Sequence, residues 1–267
     1  MASRGIIWRL QRKSKYGTKE KVEMVQDLRI IDDVFFEVFA QDIPACQEIL
    51  RTILEDDQLI VKDVIVQSSN RNLYGHSVRL DALCVLGDGT KCNIEVQRAD
   101  NDDHLRRARF NASSITVRES NPGEKFNDVI DVYIVYISQF DFLGYGFTTY
   151  HIDKTIRENG AVVDDGLHEI FVNTVIKDGS RTSDLMDCFT KKQFTSKEFP
   201  AITKRFNSLK SEGGAPAVCE VMEKLLTEER IEAIKNMIDL GLSKEKILSK
   251  YSVDEYEAAL ASMKKTE

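Results

Sequence analysis

The chain has 267 residues, of which 42% are hydrophobic and 30% charged, so it can bury a full α/β core with material left over. The net charge of −7 argues against a protein that coats nucleic acid non-specifically, but it leaves room for a local basic site. No apolar run approaches the roughly 18 residues that a membrane helix needs, and the N-terminus lacks the apolar segment of a secretory signal. We therefore expect a cytoplasmic protein that does not bind a membrane.

Cysteine and histidine do not form metal-binding patterns. The five cysteines lack any C-x-x-C pair and mostly lie in apolar segments, which predicts reduced core residues: Cys46, Cys84, Cys92, Cys188 and Cys219. The four histidines are scattered without the spacing of a zinc site. Any metal ion is therefore expected to be held by oxygen ligands.

The first part of the chain is strongly basic. Up to residue 21 a single acid, Glu20, stands among seven cationic residues: Arg4, Arg9, Arg12, Lys13, Lys15, Lys19 and Lys21. We assign residues 1–28 to a basic N-terminal arm, which is either a solvated terminus or an arm that follows phosphates.

Two helices are predicted next. Asp32 and Asp33 precede four apolar residues, Phe35, Phe36, Val38 and Phe39, which indicates a short apolar helix or turn. Pro44 begins an amphipathic helix that ends at residues 55–57, with apolar residues at helical spacing: Cys46, Ile49, Leu50, Ile53 and Leu54.

Three strands should follow, at Leu59 to Val66, Val78 to Val85 and Lys91 to Gln97, with residues 86–90 forming a hairpin between the last two. Asn101 or Asp102 can then cap a helix with one apolar stripe: Leu105, Ala108, Ala112, Ile115 and Thr116. A buried strand is predicted from Val129 to Ile137. The resulting order is αβββαβ.

The rest of the chain divides into two regions. Strand candidates at Phe147 to Ile152 and Glu169 to Thr174 would lengthen the sheet or cover its end, which completes a core domain at 29–178. Residues 179–267 form a helical C-terminal region with a flexible joint at 211–216. Its last helices include a capping box at Ser252 and mix lysines with acids, so we assign them to packing or homodimerisation rather than to a helix-turn-helix.

A pair of acidic residues stands out in the predicted hairpin. Asp81 lies within an otherwise apolar strand, and Glu95 and Gln97 share one face of the next strand. If residues 87–89 form a three-residue loop, the register places Asp81 opposite Glu95, about 5 Å apart between Cβ atoms. Like charges at that distance repel, and Mg²⁺, or alternatively Mn²⁺, would relieve the repulsion.

Gln97 would orient a water or a phosphate oxygen, and the carbonyl of Val96 is a candidate further metal ligand. The alternative is structural: Asp81 pairs with Arg79 or Arg98, and Glu95 faces solvent.

Four segments together resemble the PD-(D/E)XK nuclease family transposases, the Rpn-type recombination-promoting nucleases: Arg79-Leu80-Asp81, Gly87-Asp88-Gly89, residues 93–98 and Arg106-Arg107-Ala108-Arg109-Phe110. The resemblance spans about residues 32–174 and implies a restriction-endonuclease-like α/β fold with a mixed sheet. It makes Asp81 the motif aspartate and Glu95 the motif acid. Gln97 stands where many relatives of the wider superfamily have lysine, an E-x-Q variant.

The resemblance also implies a supporting acidic residue, assigned to Asp32, with Asp33 and Glu37 as alternatives. Arg109, at the edge of the helix stripe, is expected to reach the sheet ends and bind phosphate, with Arg106 as a second candidate, while Arg106 and Arg107 rotate further out. The alternative is a surface helix with solvated arginines.

The expected function is that of a metal-dependent endonuclease that hydrolyses DNA, linked to transposition, recombination or defence of a mobile element. The competing hypothesis is a nuclease-fold protein without cleavage activity that binds nucleic acid or protein. RNA remains open as a substrate, because the metal chemistry does not depend on the sugar.

Overall fold

The computed structural model describes residues 18–70, 78–100 and 103–263. Three helices come first: α1 (Thr18–Gln26), α2 (Asp33–Phe39) and α3 (Ile43–Ile53). Strands β1 (Val61–Asn70), β2 (Val78–Leu86) and β3 (Lys91–Gln97) lead into α4 (His104–Glu119), a 3₁₀ turn at Phe126–Asp128 and β4 (Val132–Ser138). Then come β5 (Thr149–Ile152), β6 (Lys154–Thr155), β7 (Val162–Val163) and β8 (Leu167–Asn173). Five helices follow: α5 (Arg181–Thr190), α6 (Pro200–Lys210), α7 (Ala215–Asp239), α8 (Lys244–Leu248) and α9 (Val253–Met263).

Six strands form one mixed sheet in the order β1-β2-β3-β4-β8-β5. The strand β2 is antiparallel to both of its neighbours, β1 and β3. The strands β3, β4 and β8 are parallel, and β5 is antiparallel to β8. The predicted αβββαβ order and mixed sheet are confirmed. The predicted extension is also confirmed, because β8 and β5 lengthen the sheet beyond β4.

The two faces of the sheet carry different layers. Cys92, Ile94 and Val96 point to one face, in a core cluster with residues of α2, α3, α5 and α6. On the other face, Leu83, Ile134 and Tyr136 pack with Ala108, Ala112 and Ile115 of α4. Since strand side chains alternate between faces, Asp81, Asn93 and Glu95 belong to the face that α4 covers.

The ends of several predicted strands were wrong by a few residues. β1 begins at Val61 rather than Leu59, because the N–H of Leu59 closes a turn onto Asp56. β4 begins at Val132 rather than Val129, whose N–H belongs to the preceding 3₁₀ turn. The helix α1 was not predicted; it lies in the described part of the basic arm, and its Val25 is fully buried. Residues 1–17 lie outside the described residues.

The apolar stripe predicted for α4 was wrong at Leu105, which is 46% exposed. The inward positions around it are polar instead: His104 and Asn111 are both buried. His104 packs against Tyr136, which explains why the helix rotates away from the predicted apolar stripe at its N-terminal end. The predicted capping residues Asn101 and Asp102 lie outside the described residues, and Asp103 precedes the helix.

The helices after residue 178 join the same core as the sheet. Phe189, Phe199, Phe206 and Met222 belong to the cluster that contains Phe35, and the Phe35 and Phe206 rings are 5.4 Å apart. The boundary at 178/179 stays a prediction, and the hydrophobic core continues across it.

The joint predicted at 211–216 is exposed at residues 211–213 and closely packed at Gly214, and its flexibility stays a prediction. A Cβ at Gly214 would lie 2.2 Å from the carbonyl oxygen of Ser208 and 2.6 Å from the Cα of Leu209. The segment therefore turns directly from α6 into α7, and only glycine fits at the contact.

The end of the chain forms a small separate cluster. Ile234 of α7, Ile247 of α8 and Ala259 of α9 pack together. The predicted capping box is confirmed, since Ser252 and Glu255 exchange hydrogen bonds between side chains and backbone N–H groups. The prediction that the cysteines are core residues is confirmed as well: all five are buried. In the described ranges, no helix combines the length and hydrophobicity needed to cross a membrane.

Candidate metal and nucleic-acid site

The strands β2 and β3 separate where they carry the two acidic residues. Their backbone ladder runs from Val85 opposite Lys91 to Ala82 opposite Ile94, and the same register places Asp81 opposite Glu95, as predicted. Past this point side chains replace the ladder. Asp81 Oδ2 accepts a hydrogen bond from the N–H of Val96 at 3.0 Å, and Glu95 Oε1 accepts a long one from the N–H of Asp81 at 3.4 Å. The structural alternative is therefore wrong for Glu95, which is 6% exposed.

One carboxylate oxygen of Glu95, Oε1, accepts three hydrogen bonds. Besides the N–H of Asp81, Oε1 accepts hydrogen bonds from Asn93 Nδ2 at 2.8 Å and from Asn111 Nδ2 at 3.0 Å. Asn93 comes from the same strand and Asn111 from α4, so the carboxylate is held from the sheet and from the helix above it. This fixes the orientation of Glu95 and directs its hydrogen bonds to a single oxygen.

Burial and repulsion both act on the pair. Burial raises the pKa of Asp81 well above its usual range, and the negative charge of Glu95 raises it further. Burial also raises the pKa of Glu95, while the hydrogen bond from Asn93 and the positive charge of Arg107 act in the opposite direction. Keeping both groups ionised therefore costs free energy, and a nearby cation would offset that cost.

Asp32 is bound by two arginines rather than turned toward the pair. It is 6% exposed, accepts a hydrogen bond from the N–H of Arg29 at 2.7 Å and forms ion pairs with Arg29 and Arg98. The neighbouring Asp33 is the acid of α2 whose charge reaches Asp81, since it contributes to the raised pKa of Asp81. Asp32 is therefore linked to the site through Arg98, the residue that follows Gln97. The charge of Asp33 acts on Asp81 itself.

Gln97 lies on the same strand face as Glu95, but its amide is engaged elsewhere. Its Nε2 donates to the carbonyl oxygen of Ala99 at 2.6 Å. The structure therefore does not bring Gln97 into hydrogen-bond contact with Asp81 or Glu95. Val96 lies between Glu95 and Gln97 on β3, and its N–H donates to Asp81 Oδ2.

The arginines of α4 are arranged differently from the prediction. Arg106 and Arg109 are exposed, and the acid on which Arg109 acts is Glu169 of β8. Arg107 is partly buried, and its charge acts on Glu95 and Tyr136. The predicted outward rotation of Arg107 was wrong, because the polar residues His104 and Asn111 turn this side of the helix toward the sheet.

A buried polar chain extends from the N-terminus of α4. The ring of His104 lies 3.0 Å from Tyr136 Oη through Nδ1 and 3.0 Å from Asp100 Oδ1 through Nε2. Tyr136 is paired with Glu95 across the parallel strands β3 and β4. These hydrogen bonds from His104 hold the start of α4 over the carboxyl ends of β3 and β4.

Sequence reasoning did not select Asn93, Asn111 or Arg107. Two signals were available. Asn93 lies two residues before Glu95, on the same face of β3, and Arg107 and Asn111 lie one helical turn apart on α4. A polar residue at i−2 from a motif acid is thus a useful sign of a hydrogen-bond partner.

The residues present fit a divalent cation. The partly buried Asp81 and the buried Glu95 lie side by side and repel each other when both are ionised, and the side-chain amide oxygen Oδ1 of Asn93 is buried without a hydrogen-bond partner among the described residues. Among those same residues no group of three or more His, Cys, Asp or Glu side chains is close enough to hold a metal ion. Mg²⁺ commonly uses one or two carboxylates with waters and substrate phosphates, so two acids are sufficient.

A cavity of about 510 Å³ lies elsewhere, at the opposite end of β3. Its lining includes Asp88 of the hairpin, Asp131, Tyr133 and His168, and it does not include Asp81 or Glu95. The acidic pair is therefore separate from this cavity and lies where β2 and β3 diverge beneath α4.

Comparison with known proteins agrees with this arrangement. A family model described as PD-(D/E)XK nuclease family transposase matches residues 29–196, from just before α2 to just past the end of α5. No curated protein and no solved structure matches the chain. The family is one of nuclease-type function linked to transposition, and nucleases of this kind bind DNA and generally use divalent metal ions. Since the match covers well over half of the sequence, the chain belongs to the PD-(D/E)XK nuclease family transposases.

Proposed function

We propose that this protein is a Mg²⁺- or Mn²⁺-dependent endonuclease that hydrolyses DNA phosphodiester bonds, acting in transposition or recombination of mobile elements or in their defence. The observation that carries the proposal is the pairing of the partly buried Asp81 with the buried Glu95 where β2 and β3 separate. Two ionised carboxylates in this setting cost stability unless a cation or a proton binds between them.

Asp81 and Glu95 would hold the cation, with the Val96 carbonyl as a further ligand. A bound Mg²⁺ or Mn²⁺ supplies a more acidic water and neutralises charge on the phosphodiester. Asn93 and Asn111 keep Glu95 Oε1 occupied, so that the carboxylate enters the site in one orientation. Gln97 would orient the attacking water or a phosphate oxygen after its amide leaves the carbonyl of Ala99. Asp32 would support the site through Arg98.

A second function, nucleic-acid binding without cleavage, is favoured by one observation. The amide of Gln97 is bonded to its own loop, and glutamine cannot act as the charged proton donor that lysine can be. In this alternative the same face binds nucleic acid and the carboxylate pair binds a cation without hydrolysis.

Cleavage of supercoiled plasmid at low salt, with Mg²⁺ or Mn²⁺, tests the proposal. The variants Asp81→Asn and Glu95→Gln should leave the plasmid intact, as should EDTA with the wild type. The matched controls Asp128→Asn and Glu158→Gln change exposed residues and should cleave like the wild type. A structured RNA in the same assay decides between the two polymers.

An intact plasmid together with Mn²⁺ binding by calorimetry would support the binding module. An intact plasmid without Mn²⁺ binding would reject the metal site itself. Cleavage that persists in Asp81→Asn would show that another site is responsible.

A further inference from the structure

The positive charges around the acidic pair differ in how completely they are bonded. Arg98 donates to Gln139 Oε1 and pairs with Asp32, and Arg29 also pairs with Asp32. These two guanidinium groups are committed to a buried carboxylate. Arg107 is not bonded in this way.

Arg107 makes one ion pair and leaves donors unused. Its Nη2 donates to Asp103 Oδ2 at 3.0 Å, while its Nε is buried without an acceptor among the described residues. Asp103 Oδ1 is likewise buried without a partner. The guanidinium of Arg107 is therefore incompletely bonded and keeps donors that a further anionic acceptor can use.

The position of Arg107 is suited to a substrate. It lies one helical turn from Asn111, whose amide is bonded to Glu95 Oε1, and its charge acts on both Glu95 and Tyr136. Its side chain is 40% exposed, so one end of the guanidinium reaches solvent. Arg107 is therefore close enough to the Asp81–Glu95 pair to meet a phosphate adjacent to one bound at that pair.

We propose that Arg107 binds a phosphate of the nucleic-acid backbone next to the phosphate that is cleaved. This proposal rests on the proposed function. Asp103 accepts from Nη2 alone, so the donors other than the buried Nε can approach phosphate oxygens in a bidentate manner. Arg106 and Arg109 are exposed arginines of the same helix and serve as comparisons for Arg107.

Arg107 could instead serve only to neutralise Glu95 inside the free protein. The two roles differ in their effect on cation binding. If Arg107 only neutralises Glu95, removing the charge of Arg107 should change the affinity of the site for Mn²⁺. It should not change how DNA binding depends on salt.

DNA binding by the full-length protein in EDTA separates these roles, because no cleavage can occur. The affinity for a labelled duplex is measured over a salt series for the wild type, Arg107→Gln, Arg107→Lys, Arg106→Gln and Arg109→Gln. We expect Arg107→Gln to bind roughly tenfold more weakly at low salt. The slope of log affinity against log salt should fall by about 1, the value for one lost phosphate contact.

Arg107→Lys should keep the salt slope but not the full affinity, because lysine retains the charge and loses the bidentate geometry. Arg106→Gln and Arg109→Gln should lose less than Arg107→Gln. Arg107→Gln should bind Mn²⁺ at least as tightly as the wild type, since a positive charge near the site has been removed.

An unchanged salt slope in Arg107→Gln, or an equal loss in Arg109→Gln, would overturn the proposal. If Arg107→Gln does not fold, Arg107→Lys carries the test, and wild-type affinity in that variant would likewise overturn it. A reduced slope in a protein that never cleaves plasmid would reject the nuclease while leaving the phosphate contact of Arg107 in place.

Discussion

The side chain of Asp81 accepts a hydrogen bond from the backbone N–H of Val96 at 3.0 Å. The neighbouring residues of β2 and β3 are instead joined through their backbone groups. The carboxylate thus closes the gap between two separating strands and faces a second carboxylate at the same time. This double role makes the effect of replacing it predictable.

Asp81→Asn should stabilise the metal-free protein at neutral pH. The amide oxygen of Asn can still accept from Val96, while the repulsion with Glu95 and the cost of a buried charge are both removed. We expect a gain on the order of 1 kcal/mol in the free energy of unfolding, measured by urea denaturation in EDTA. Mn²⁺ should raise the melting temperature of the wild type and not that of the variant. A less stable Asp81→Asn would show that the pair is not strained.

Asn111→Ala should weaken cation binding without removing any candidate ligand. The variant loses one of the three hydrogen bonds to Glu95 Oε1, the one that ties the carboxylate to α4, so the carboxylate is held less firmly. We expect roughly tenfold weaker Mn²⁺ binding by calorimetry. Asn127→Ala, at an exposed position of the 3₁₀ turn, is the control and should bind like the wild type. Equal affinities in the two variants would argue against an orienting role.

Gly214→Ala should strongly destabilise the protein. The backbone at Gly214 has φ −95° and ψ −31°, which alanine adopts readily, so the cost comes from the Cβ that would lie 2.2 Å from the carbonyl oxygen of Ser208. We expect a loss of about 2 kcal/mol or more. The adjacent Gly213→Ala is a matched control, because its Cβ would meet nothing nearer than 3.9 Å, and it should unfold at nearly the wild-type urea concentration.

Lys210 should make stability rise at alkaline pH. The residue is 8% exposed, and its ammonium donates to the carbonyl of Gln26 at 2.9 Å and lies 4.5 Å from the centre of the Phe206 ring. Burial lowers the pKa of Lys210 to about 8. Between that value and the usual pKa of about 10.4, the unfolded chain binds one more proton than the folded chain, so raising the pH favours folding.

The expected gain over this interval is about 2 to 3 kcal/mol, relative to Lys210→Met, whose stability should lack this component. The difference between the two unfolding curves from pH 7.5 to 10.5 isolates the effect. A constant difference would mean that Lys210 keeps its proton in the folded state.

Local patterns were enough to predict the hairpin and the acidic pair. The Gly87-Asp88-Gly89 loop sets the register of β2 and β3, and a one-residue error would have placed Asp81 and Glu95 on opposite faces. Strand alternation then identified which side chains share the site face. These features depend on neighbours close in sequence.

The surroundings of the pair depend on the rotation of α4, and the sequence pattern misplaced it. Leu105 looked like a core residue, but His104 and Asn111 occupy the inward positions because each has a polar partner on the sheet, Tyr136 and Glu95 respectively. A hydrophobic stripe cannot reveal such partners. The same rotation decides that Arg107, rather than Arg109, faces the acids.

The continuity of the core across residue 178 constrains how this protein is made. Phe35 packs against Phe206, and the same cluster extends to Met222, so the first helix of the family region needs residues that are synthesised much later. A nascent or prematurely terminated chain that already contains Asp81 and Glu95 would still lack the side chains that close its core. Such a product should be unfolded and degraded by proteases. It should not persist as a folded fragment that carries the acidic pair.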